Sequence, residues 1–147
     1  MAEYLRLARL YFVLLALVTI GRWTLGFQHV PYEKATDKVS IVILTLFAAI
    51  FYGAFTRRWL NFRIGQALVL AMLLAFTSQV VILLSTVASY GMGIESYFNH
   101  PIALNVAESV PVGRAIGIRL GGLVANTLTT GIAGALGWAM GALLPER

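Results

Sequence analysis

The sequence predicts an all-α, polytopic integral membrane protein with four transmembrane helices. Three observations lead there. Between Arg63 and Glu95 stand 31 consecutive residues without a charge, Ile64 to Ile94, whereas about 20 mostly apolar residues suffice to cross a hydrocarbon core. Three more apolar runs repeat the pattern: Leu10–Phe27, interrupted only by Arg22, then Val39–Thr56 and Leu120–Pro145. The chain is 59% hydrophobic and 12% charged, about half the charge of an average globular domain. In 147 residues four spans leave little else, so the chain reads as one domain, 1–147.

Span one covers about 8–27. Arg6 and Arg9 precede it as in a signal peptide, but the apolar stretch continues into Gly21-Arg22-Trp23 without a small-residue cleavage site, so a retained span is expected. Gly26 and Pro31 close it. The loop Gln28–Lys38 holds Glu33, Lys34, Asp37 and Lys38, and Thr36 or Asp37 is the expected N-cap of span two, about 39–55. Thr56 to Arg63, with three arginines and Trp59, reads as a turn. Span three, about 64–90, exceeds the length needed and should tilt or protrude; Gly91 and Gly93 end it. In the long segment Ile94–Pro111, Asn99-His100-Pro101 resembles a helix start and predicts a short interfacial helix over 101–109. Pro111 opens span four, about 115–144, and Pro145 stops it.

Basic residues near span ends set the orientation. With four spans, Arg6, Arg9, Arg57, Arg58, Arg63 and Arg147 share the side of both termini, against Lys34, Lys38 and Arg114 in the opposite loops. Both termini are therefore expected in the cytoplasm, the protein lying in the plasma (inner) membrane. Trp59 and Trp138 suit the inner interface and Trp23 the outer.

Composition excludes several function classes. The absence of cysteine removes disulfides, thiolate metal sites and thiol nucleophiles. The net charge of +5 sits at span ends rather than in a stripe, which argues against nucleic acid. No nucleophile elbow, phosphate-binding glycine loop or paired aspartates are present. No carboxylate falls at mid-membrane, which weighs against a proton-coupled transporter.

Four groups of residues remain. In span four, Gly113, Gly117, Gly121, Ala125, Thr129, Ala133, Gly137 and Gly141 recur every four residues. Small residues let helix backbones approach closely in lipid, where no hydrophobic force drives helices together, so this stripe is the expected helix interface. Arg22 and Arg119 stand in apolar spans at a cost of at least about 2.5–3.5 kcal/mol each at mid-membrane. They are expected either to snorkel or to form a cationic site for an anion or a lipid headgroup, with Glu95 or Glu108 as counterion. His29 and His100, with Glu95 or Glu108, are a weaker candidate for haem or zinc. Gln79 and Asn126, the costliest uncharged polar groups in the spans, are expected to bond each other or a neighbouring backbone.

The expectation is thus a small non-catalytic membrane protein without a cofactor, an accessory or structural subunit or a homo-oligomer packed through span four. Its partners are membrane lipids and a membrane protein or a second copy. The rivals are an anion transporter using Arg22 and Arg119, and a haem or metal protein using the two histidines. The topology is directly testable: reporter fusions at Arg147 should report a cytoplasmic location and insertions near Asp37 an external one. An external C-terminus overturns the orientation.

Overall fold

The structure, a computed structural model, describes residues 2–35 and 39–145. It consists of helices α1 (Ala2–Leu7), α2 (Arg9–Phe27), α3 (Tyr32–Ala35), α4 (Ile41–Leu60), α5 (Ile64–Gly91) and α6 (Val112–Met140), with short 3-10 turns at Ile102–Leu104 and Gly141–Leu143. There is no strand among the described residues. Four helices are long and apolar enough to cross a membrane: α2, α4, α5, and α6 with the turn that extends it. Leu10, Leu17, Phe47, Leu84, Leu128 and Ile132 are each more than half exposed. So much outward apolar surface suits lipid and is a liability in water.

The helix boundaries follow local chemistry. Thr36 and Asp37 lie outside the described residues; the cap of α4 is Ser40, whose Oγ accepts the Ile43 N–H at 3.3 Å. The segment Thr56–Arg63 is not a turn throughout. α4 continues to Leu60 and stops where Asn61 takes a left-handed conformation, φ 54°, which asparagine tolerates better than most residues. Arg57 and Arg58 therefore stand on the last helical turn, where cations complement the helix dipole. Their charge was read as a break, yet charge does not break a helix end of this polarity. Pro111 does start α6, occupying its N-cap.

The interfacial helix expected over 101–109 is reduced to the 3-10 turn Ile102–Leu104, ended by Asn105 at φ 56°. Two contacts explain this. Asn99 accepts the Ser96 N–H at 2.8 Å and donates to the Ile94 carbonyl at 2.9 Å, closing its own loop rather than capping a helix. Arg119 also takes the Ala103 carbonyl at 3.0 Å, one that a continuing helix would have used.

The core is the packing of α4, α5 and α6, with α2 seated on α4 and α5. The first three meet through residues with little or no side chain. A Cβ on Gly53 would overlap the Gly134 carbonyl, one on Gly137 would overlap Ile50, and one on Gly134 would strike the Ala71 methyl. Ala49, Ala67, Ala71 and Ala75 are almost completely buried. α2 joins by larger groups: Tyr11 and Leu15 pack with Ile41, Tyr52, Leu70 and Leu74. The Tyr11 hydroxyl lies 2.9 Å from Thr45 Oγ of α4 and donates to the Leu74 carbonyl of α5 at 3.0 Å, tying three helices.

The small-residue stripe of α6 splits in two. Ala133, Gly137 and Gly141 are buried, while Gly113, Gly117, Gly121 and Ala125 are exposed, and nothing lies within 4 Å of a Cβ built on any of those three glycines. The reason is the four-residue spacing: at about 100° per residue, Gly121 and Gly137 stand roughly 160° apart on the helix. This separates two glycines of the one stripe. Gly137→Leu should lower unfolding stability by about 3 kcal/mol or more, whereas Gly121→Leu should leave the monomer's stability within about 0.5 kcal/mol. Thermal unfolding in detergent measures both.

Candidate functional site

The distal end of the bundle, opposite the termini, is where polar side chains gather. Here α2 ends, α4 begins, α5 ends and α6 begins, and the loop 92–111 folds over them. Both termini lie at the other end: the Tyr4 ring meets that of Phe62 at 5.9 Å, and Arg58 Nε donates to the Pro145 carbonyl at 3.1 Å.

Two positions on one face of α2 draw the loop in. Arg22 and Gly26 are one turn apart, so they point the same way. A Cβ on Gly26 would meet the Ser96 Cα at 3.0 Å, so the absent side chain lets the loop lie directly on the helix. Arg22 then donates to the Tyr97 carbonyl at 2.8 Å and to the Val39 carbonyl, just before α4, at 3.2 Å. Its guanidinium carbon also sits 5.1 Å from the centre of the Phe98 ring and 5.7 Å from that of Tyr97, within cation–π range.

Arg119 closes the loop from the other side. Its Nε donates to Thr86 Oγ of α5 at 3.1 Å, and its terminal nitrogens donate to the Ala103 carbonyl at 3.0 Å and the Phe98 carbonyl at 2.6 Å. The Tyr97 hydroxyl donates back to the Val30 carbonyl at 2.9 Å. Burial raises this phenol's pKa, with the Arg22 charge opposing, so it remains a neutral donor through the physiological range. Arg22 and Arg119 thus clasp consecutive carbonyls of one loop, and both line one cavity of about 100 Å³.

The acids are elsewhere. Every hydrogen bond of Arg22 and Arg119 among the described residues ends on an uncharged oxygen. Glu95 and Glu108 instead line a wider, separate cleft of about 600 Å³ with Tyr90, Asn99 and His100. Loop carbonyls left without helix partners accept from arginine and spare the cost of stripping water from a carboxylate. His29 and His100 do share a cleft, of about 220 Å³, with Glu95 and Tyr32. His100 stacks on Tyr32 with ring centres 4.7 Å apart. Among the described residues, no three of His, Cys, Asp and Glu are grouped to hold a metal ion. Gln79 and Asn126 converge beside Gly122, their amide atoms 3.9 Å and 3.7 Å from a Cβ built there, but no hydrogen bond joins them among the described residues.

Sequence reasoning joined Arg22 and Arg119 as one cationic site but looked for their partners among the acids rather than among the loop carbonyls. It gave no role to Thr86 and read Gly26 only as a helix end. The four-residue step from Arg22 to Gly26 was the available signal.

The chain matches no protein-family model, and comparison with curated proteins and with solved structures finds no match. Its own geometry therefore carries the functional reading.

Arg119→Ala should cost about 2–3 kcal/mol, because carbonyls buried against a charged donor lose it, and amide hydrogen exchange should accelerate within 94–105. A double-mutant cycle with Glu108→Ala should show coupling under about 0.5 kcal/mol. Larger coupling would make Glu108 the partner after all.

Proposed function

We propose that this chain is a four-span integral membrane protein of the plasma (inner) membrane, both termini cytoplasmic, that works as a non-catalytic packing subunit. The surface it offers is the distal half of α6. One observation supports this reading above the others: Gly113, Gly117 and Gly121 are exposed with nothing near them, while the glycines of the other half are consumed inside the bundle. Leu120, Val124 and Leu128 border that open face. A glycine track flanked by large apolar residues lets a second helix come within backbone contact, which is what drives association in lipid.

A second copy of the chain is the simplest occupant, because two such tracks can cross on a two-fold axis. The excess of basic residues on the side of the termini supports their cytoplasmic placement. An anion transporter is less well supported: the two arginines are engaged with loop carbonyls rather than lining a path through the bundle. The histidine cleft lies open at the distal end, which gives a haem no apolar enclosure.

In mild detergent the wild-type protein should run as an oligomer. Gly117→Leu and Gly121→Leu should shift it to monomer without lowering its unfolding temperature, and Leu136→Ala, off the track, should leave the oligomer intact. A wild-type monomer that also captures no membrane partner would overturn the reading.

A further inference from the structure

The cavity between Arg22 and Arg119 has a third wall. Ser40, Ile41 and Val42, the cap and first turn of α4, line it together with Tyr32. Three features converge there. The first two N–H groups of α4, those of Ile41 and Val42, have no acceptor within the helix; the Ser40 Oγ serves Ile43 instead. The helix spans 20 residues, so its dipole places partial positive charge at this end. Arg22 is only 8% exposed, yet its Nε has no hydrogen-bond partner among the described residues. Buried N–H groups are rarely left so.

Electrostatics makes the arrangement more unusual. Two guanidinium groups and a helix N-terminus surround one small space, and none of the arginines' partners among the described residues is an anion. Like charges brought together away from water repel. What completes the set is a negative charge.

We propose that this cavity is a binding site for a tetrahedral oxyanion of the phosphate class. Size bounds what enters: a cavity of about 100 Å³ takes a phosphate group, and the remainder of a larger ligand stays outside it. Shape selects the ligand. A phosphate presents oxygens in several directions at once, to the Arg22 Nε–H, to the second hydrogens of the arginines' terminal nitrogens and to a pair of helix N–H groups. Arg22 and Arg119 provide charge and direction, and Ile41 and Val42 provide backbone donors. A free phosphate and the headgroup of a phospholipid carry the same chemistry. The site is independent of the α6 face proposed above, and its test does not use oligomeric state.

The experiment is thermal unfolding of the purified protein in neutral detergent, titrated with inorganic phosphate against sodium chloride at matched ionic strength. A parallel titration uses micelles doped with phosphatidylglycerol or with an uncharged glycolipid. Phosphate should raise the unfolding temperature saturably where chloride does not. Arg22→Lys and Arg119→Lys, which keep the charge and lose the fork, should each raise the half-saturating concentration by about tenfold, the worth of one charge-assisted hydrogen bond. Because arginine variants also loosen the loop, Ile41→Pro against Ile41→Ala provides a second reading: both lose the core packing of Ile41, but only proline, tolerated at the first helical position, deletes an N–H donor, so the proline variant should respond several-fold more weakly than the alanine variant. A response to phosphatidylglycerol alone, with the same residue dependence, supports the site and makes the lipid headgroup its source. No saturable response to either, or a response unchanged in both lysine variants, overturns it.

Discussion

The rest of this structure depends on the backbone contact between α4 and α6. In lipid, apolar side chains gain little by leaving their surroundings for one another, so helices hold together by van der Waals fit and by the few polar bonds they share. Gly53, Gly134 and Gly137 remove the side chains that would hold the two backbones apart, and Gly141 extends the contact to the helix end, with the Ala54 carbonyl 2.7 Å from where its Cβ would stand. This contact fixes how far α6 is slid and turned against its neighbours. Arg119, five turns away, can meet Thr86 and the Phe98 carbonyl only in that register. The distal site is therefore a consequence of packing at the opposite end of the helix.

Arginine on backbone carbonyl is the second recurring device. At the distal end Arg22 and Arg119 hold the loop 92–111 through its own carbonyls. At the end of the termini Arg57 donates to the Trp138 and Ala139 carbonyls at 3.2 Å and 3.3 Å and stacks on the Trp138 ring at 4.0 Å. Those carbonyls belong to the last turn of α6, where a cation complements the helix dipole. Trp138 reciprocates, its Nε1 donating to the Phe62 carbonyl at 2.7 Å. The chain carries 11 basic and 6 acidic residues, so there are too few acids to pair every cation, and arginine turns to neutral acceptors. Exposed turns and helix ends provide them. This use of arginine seals each end of the bundle without a matching acid, and it concentrates positive charge at the distal cavity.

Hydroxyl groups follow the same economy inside the bundle. Thr77, Ser89 and Thr129 return their protons to carbonyls of their own helices, which pairs these hydroxyls without help from another helix. The hydroxyl bonds that leave their own helix are fewer: Tyr11 joins three helices, and the Tyr90 hydroxyl donates to the Val110 carbonyl, just before α6, at 2.7 Å. Such bonds are worth well under about 2 kcal/mol each in membranes; their effect is to set register rather than to hold the fold.

What the sequence by itself determined is what depends on local composition. Unbroken apolar runs, prolines at 111 and 145 and glycines at 91 and 93 marked four long helices to within a few residues, because hydropathy and backbone propensity act over a single turn or span. Even there, Arg57 and Arg58 misled, since charge at a helix end resembles a loop until the helix direction is known. The stripe of small residues was legible as a pattern but not as a surface: a four-residue repeat rotates around the helix, and only the tertiary structure decided that one half meets α4 while the other faces out. The same holds for the arginines. Their presence in apolar spans was visible, but their partners were carbonyls of residues 39, 97, 98 and 103, and every residue has a carbonyl. Which of them are left free is decided by where helices stop and how a loop lies over them, and that is settled only when the chain has packed.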